Sequence, residues 1–304
     1  MENITAEHAL KRTVIIPHCN RTGTVMSIIS TNTIADISDI DWNEVIKKKK
    51  ESKQNPVNKG SEFWNKRAPS FADHAGKTFY PDSFIKIMNP EASWTVLDMG
   101  CGGGTLAIPL ADKVKHITAV DFSDRMIEIL REEADRLGIK NIKTIKSSWT
   151  DDWAESGISI YDVAIASRSL AVDDVKSALV KLNNSARKRV IISTVVGDGP
   201  FDRKMFEAVG RERSESIDYI YFYNLLYQMG IQANITFVVV DDTKTYESHA
   251  EACESMRWMF PEMTRGEDAL LKKYMAVHMI KENGRFTLDY KKKSKWAVIW
   301  WDKE

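Results

Sequence analysis

The chain has 304 residues, 43% hydrophobic and 28% charged, which suits one large or two ordinary globular domains and excludes wholesale disorder. Its 43 Lys and Arg balance 43 Asp and Glu, leaving no global positive field to draw nucleic acid or an anionic membrane. The longest apolar run, residues 296–301, is far short of the roughly 20 residues that span a bilayer. The N-terminus lacks the apolar region of a secretory signal, and Cys19, Cys101 and Cys253 are too scattered for a disulfide framework or a metal site. A cytoplasmic protein with no membrane partner and no bound metal is expected.

Residues 1–40 are rich in Thr, Ser, Asn and Ile without helical period and read as a disordered extension; Met26 would also serve as a start, making 1–25 dispensable to the fold. Residues 41–52 read as a charged helix whose lysines at 47–50 form a solvated face, and 41–93 as a helical N-terminal cover. From residue 94 the pattern changes to short β-branched runs alternating with helical segments, the signature of βαβ units and a parallel sheet. Strands are expected at 94–99, 117–121, 142–145, 162–167, 190–196 and 235–240, and helices at 105–113, 123–137 and 172–186. The rhythm breaks after the fifth strand, where Gly197-Asp-Gly-Pro200 leads to an aromatic helical stretch at 217–229. It breaks again after the sixth, with helices at 247–259 and 266–280 before a final hairpin of 285–290 with 295–301. These two insertions, at about 200–230 and 245–282, read as a lid on a domain running from 94 to 304.

The string that carries chemistry is Asp98-Met-Gly100-Cys101-Gly102-Gly-Gly104-Thr105, directly after the first strand. Gly100 and Gly102 permit a tight turn and let a ligand lie against bare backbone, and the helix that follows offers N–H groups to it. The spacing is not that of a dinucleotide fingerprint, because Thr105 stands where G-x-G-x-x-G needs its last glycine. Asp98 would also repel a pyrophosphate, whereas it would welcome an amino-acid ammonium, and that points to S-adenosylmethionine.

The string resembles the acid-x-Gly-x-Gly-x-Gly motif of class I S-adenosylmethionine-dependent methyltransferases. The likeness extends to Asp121, which ends the second strand 23 residues after Asp98 and is placed to accept from both ribose hydroxyls. It covers about residues 60–200. It implies a Rossmann-like, doubly wound α/β sheet of seven strands with the last antiparallel, and S-adenosyl-L-methionine as cofactor. It further implies that Phe122 and Met126 line the adenine, and that Ser148, Trp149 or Asp151 meet the ring after the third strand. Trp64 and Arg67 lie in an aromatic-and-arginine segment like one that folds over the cofactor in many small-molecule methyltransferases, where Trp64 or Phe71 would meet the sulfonium and Arg67 the methionine carboxylate or a substrate anion. The candidate cofactor-binding set is therefore Trp64, Arg67, Asp98, Gly100, Cys101, Gly102, Gly104, Asp121, Phe122, Ser123, Met126, Ser148, Trp149 and Ser167.

After the fourth strand stands Ala166-Ser167-Arg168-Ser169. It lacks the Pro-Pro-aromatic string of amino-group methyltransferases, and no carboxylate stands there to hold the magnesium of catechol-type enzymes. No cysteine sits beside a proline as in cytosine C5 enzymes. Arg168 would bind a carboxylate or phosphate bidentately, which implies an anionic acceptor, or else pair with Asp173 or Asp174. His74 and Tyr80 are candidate proton acceptors, and Tyr223 shares a helical face with Tyr227 that would suit an aromatic acceptor, or would serve the core instead. Phe71 is expected in the core. A small-molecule acceptor is favoured over RNA; a non-catalytic S-adenosylmethionine-binding protein is the third reading.

Overall fold

A computed structural model describes residues 36–51, 60–75, 79–241 and 244–303, with the backbone alone for 69–75. The chain divides into two compact units, Met1–Asp41 and Trp42–Glu304. In the first, a 3-10 turn Ile37–Asp39 is capped by the Asp36 side chain, which accepts from the Ser38 N–H at 2.8 Å. Met26 and the extension before it lie outside the described residues.

The second unit holds ten α-helices among the described residues: α1 (Trp42–Glu51), α2 (Ser61–Ala75), α3 (Tyr80–Met88), α4 (Ala107–Leu110), α5 (Asp124–Arg136), α6 (Val175–Asn184), α7 (Arg203–Ala208), α8 (Tyr219–Gln228), α9 (His249–Met256) and α10 (Arg265–His278). Its nine strands are β1 (Thr95–Met99), β2 (His116–Asp121), β3 (Ile142–Lys146), β4 (Tyr161–Ser167), β5 (Ala186–Val196), β6 (Asn234–Asp241), β7 (Met279–Glu282), β8 (Arg285–Leu288) and β9 (Lys293–Asp302). Seven form one sheet in the order β3-β2-β1-β4-β5-β9-β6, in which β9 alone runs antiparallel to its neighbours β5 and β6. The doubly wound seven-stranded sheet with its last strand reversed is the one foreseen.

Alternation of side chains along each strand gives the sheet two apolar faces. Leu97, Met99, Val190 and Ile192 pack with α6 and α8 on one face, and Val96, Ile117 and Ile191 with α3 and α5 on the other. Burying each such aliphatic side chain contributes on the order of 1.5–3 kcal/mol.

Three sequence expectations change. The helix at 105–113 shrinks to α4, because Pro109 has no N–H to give the Thr105 carbonyl and regular bonding starts late. Residues 285–288 pair with β7, not with 295–301; Asn283 and Gly284 (φ 50° and 82°) make the two-residue turn that closes this small hairpin, and β9 lies in the main sheet. The two insertions also divide differently. Met205 and Phe206 of α7 join Cys253, Phe260, Leu271, Met275 and Met279 in a separate cap core, whereas Phe222, Leu225 and Leu226 of α8 belong to the main sheet's core.

Candidate functional site

From β1 and β4, neighbours in the sheet, the chain departs towards opposite edges, so their C-terminal ends frame a crevice of the kind where ligands bind in open α/β sheets. The glycine turn enters it from β1. Gly100, Gly102 and Gly104 have φ of 76°, 55° and 91°, the left-handed region that costs a side-chain-bearing residue dearly. A Cβ on Gly100 would stand 2.3 Å from that of Ser169, whose hydroxyl donates to the Met99 carbonyl at 2.7 Å. Together Asp98, Gly100, Cys101, Gly102, Thr105, Leu106, Ser167 and Arg168 line a cavity of about 30 Å³.

Two carboxylates stand at this turn. Asp98, 2% exposed, has an Oδ2 buried with no hydrogen-bond partner among the described residues. Burial, and next the nearby Asp121 charge, push its pKa up to about 7. Asp121 accepts from the Gly102 N–H and the Ser123 N–H, each at 2.9 Å, and burial pushes its pKa up against those bonds. Ser123 caps α5, accepting from the Met126 N–H at 3.2 Å, and its hydroxyl donates to Asn65 Oδ1 of α2 at 2.6 Å. Cys101 is buried, and burial first, then Asp98 and Asp121, holds its thiol protonated.

Across the cavity, Arg168 takes a left-handed φ of 59° where β4 ends. Its guanidinium lies 4.3 Å from the centre of the Tyr80 ring and 5.2 Å from that of Trp296. Tyr80 is fully buried, and its hydroxyl is within hydrogen-bond reach of Ser167 Oγ at 2.7 Å and Ser193 Oγ at 2.5 Å. Burial raises the Tyr80 pKa, so the phenol stays protonated at neutral pH and is a poor proton acceptor. Asp174, one of the acids considered as a partner for Arg168, caps α6 through the Ser177 N–H at 3.0 Å.

Beside this turn α2 crosses to the cap. Arg67 lies 4.6 Å over Trp258, 5.5 Å over Phe63 and 5.9 Å over Trp64. Trp258 packs on Phe201 at 5.2 Å, and Arg213 lies 3.9 Å over the same Phe201 ring. His74 and Phe71 are in α2, but their side chains fall outside the described residues.

Other candidates are placed elsewhere. Trp149 donates from Nε1 to the Ser169 carbonyl at 3.1 Å, which sets it beside the Gly100 turn. The Ser148 N–H is taken by Asp151 at 2.8 Å, so the exposed Asp151 caps its own turn, and that bond lowers its pKa. Phe122 is half-buried and Met126 fully buried at the start of α5. Tyr223 donates to the Ala233 carbonyl at 2.9 Å and packs against the main core, away from the cavity lining; Tyr227 is 63% exposed. Asn65, Ser193 and Trp296 were not foreseen, because each reaches the site only through the folded chain.

A family profile described as a methyltransferase domain matches residues 90–235. The chain is 35% identical over 242 residues to an uncharacterised protein of Haemophilus influenzae, covering 79% of this chain and 88% of that one. Over 77 residues it is 30% identical to a ubiquinone/menaquinone biosynthesis C-methyltransferase of Zymomonas mobilis, 25% of this chain and 30% of that enzyme, so it spans under a third of that relative. A solved structure from Bacillus halodurans C-125, provisionally assigned as a methyltransferase, matches with a TM-score of 0.51 at 13% identity over 74% of this chain and 98% of that one, a likeness of fold.

Proposed function

The chain belongs to the class I S-adenosylmethionine-dependent methyltransferases, and we propose that it transfers the methyl group to a small-molecule acceptor in the cytoplasm. The observation that carries this reading is the pair of acids at the switch point, with Asp98 Oδ2 buried and unbonded among the described residues. An isolated buried carboxylate is costly, and a ligand ammonium relieves that cost. The close packing at Gly100 and Gly104, where a Cβ would fall within 2.3 Å and 2.5 Å of Ser169 and Leu130, suits a turn that must present bare backbone. These residues fit the cofactor.

When bound, S-adenosylmethionine supplies a methyl already activated on a sulfonium for in-line displacement by the acceptor. Asp98 holds the cationic amino end, and Asp121, held by the Gly102 and Ser123 N–H groups, keeps lone pairs for the ribose hydroxyls. Phe122, Met126 and Trp149 would border the adenine. Asn65 ties α2 to the start of α5, and Trp64 and Arg67 of the same helix would fold over the cofactor. Positioning and exclusion of water then supply most of the rate. Arg67 and Arg213, each over an aromatic ring where α2 meets the cap, suit an anionic or aromatic acceptor.

The test is calorimetric titration with S-adenosylmethionine and S-adenosylhomocysteine, with NAD as control and Asp121→Ala as variant, followed by a tRNA and rRNA binding series at rising salt. Binding of the first two, weakened in the variant, with methyl transfer to a low-molecular-weight extract, supports the reading. Tight, salt-sensitive RNA binding with methyl transfer to RNA would replace the acceptor class, and cofactor binding with no turnover on either would leave a binding protein.

A further inference from the structure

Arg168 and Asp98 line one cavity, and the buried Asp98 Oδ2 takes no hydrogen bond among the described residues. At about 30 Å³ the cavity has room for a pair of water-sized groups, the scale of a charged end group and not of a ring system. A ligand that brings an ammonium to Asp98 and carries a carboxylate on the neighbouring carbon presents both charges to these two walls.

Arg168 is fixed in place for that task. Its backbone is held at φ 59°, a left-handed conformation that is unfavourable for a non-glycine residue and that clusters at functional sites. Tyr80 and Trp296 hold the guanidinium over their rings, and Tyr80 is itself anchored by Ser167 and Ser193. The donors of a guanidinium lie in its plane, where a carboxylate accepts two at once.

We infer that Asp98 and Arg168 form a clamp for a zwitterion, in which Arg168 binds the α-carboxylate of the cofactor's methionine end while Tyr80 and Trp296 position it. Arg168 then belongs to the cofactor and not to the acceptor, so an anionic acceptor would have to be met elsewhere. The inference rests on the proposed cofactor site.

The experiment compares wild type, Arg168→Gln and Arg168→Lys in calorimetric titrations with S-adenosylhomocysteine, S-adenosylmethionine and decarboxylated S-adenosylmethionine. The last keeps the amine and lacks the carboxylate. Gln and Lys are unbranched like Arg, so the backbone cost is unchanged, and thermal unfolding checks that each variant is folded. The two carboxylate-bearing ligands should bind roughly ten- to hundredfold more weakly to Arg168→Gln, the range for losing a charged hydrogen bond, with a smaller loss in Arg168→Lys. Decarboxylated S-adenosylmethionine should bind wild type and variants alike. Equal affinity of Arg168→Gln and wild type for S-adenosylhomocysteine would overturn the clamp and return Arg168 to the acceptor, as would an equal loss for all three ligands. Failure of wild type to bind any of them would instead overturn the cofactor site beneath it. Trp296→Leu, which removes one of the rings that hold Arg168, should weaken the two carboxylate-bearing ligands while decarboxylated S-adenosylmethionine binds as it does to wild type; an equal loss for all three would overturn the positioning role.

Discussion

Replacing Gly100 by Ala strains the site in two separable ways. The φ of 76° costs an L-residue about 1–2 kcal/mol, and the new methyl would lie 2.3 Å from Ser169 Cβ and 2.8 Å from Ser169 Oγ, an overpacking that costs about 1–3 kcal/mol. The sum, about 2–5 kcal/mol, is a large part of the roughly 5–15 kcal/mol that holds a domain together. Urea unfolding reads it directly. Because Ser169 also bonds the Met99 carbonyl and receives the Trp149 indole N–H, the displaced side chain shifts both walls of the crevice, and cofactor affinity should fall with stability. The second substitution Ser169→Gly removes the obstructing atoms, at the loss of one hydrogen bond worth about 1 kcal/mol. In the double variant the overpacking part should vanish while the backbone part remains, giving a coupling of about 1–3 kcal/mol between the two sites. A cost for Gly100→Ala below about 1 kcal/mol, or additive single and double variants, would refute the argument.

Asp98 makes the ligand-free protein sensitive to pH. Its pKa is about 7 when folded against 3.8 as the ordinary value, so between these the folded state binds the proton and the unfolded state does not; stability therefore falls as pH rises through that window, and Asp98→Asn should flatten the difference in thermal midpoint between pH 5 and pH 8. An unchanged slope in Asp98→Asn would remove Asp98 as the cause. Affinity for the cofactor should run the other way, rising as Asp98 ionises. Trp258→Ala takes away the ring that Arg67 and Phe201 share, so hydrogen exchange in α2 should quicken while β1 and β4 stay protected. Unchanged exchange in α2 would mean that the cap does not hold it.

What the chain reveals before folding is what short-range chemistry can encode. Asp98, the glycines behind it and Asp121 lie within one βαβ unit, so strand, turn and second strand declare them together. The inner parallel strands are legible for a related reason: buried on both faces, they are rich in continuous apolar residues. The cap is different. Met205 and Phe206 share a core with Phe260 and Leu271, with β6 between them in the chain, and no local period announces that partnership. Arg168 shows the same limit at the scale of a single side chain. Its position after β4 is readable, but the rings that hold it, Tyr80 and Trp296, stand far before and far after it, on α3 and β9.

Asp151 and Asp121 make the contrast sharp, since both are acids that follow or end a strand and both accept a backbone N–H from a serine. One is exposed and its pKa is lowered by the turn it caps; the other is buried and its pKa is raised despite two such bonds. Desolvation decides between them, and desolvation is a property of everything packed around the residue. The acid that the fold takes out of water is the one with bonding capacity left to offer a ligand.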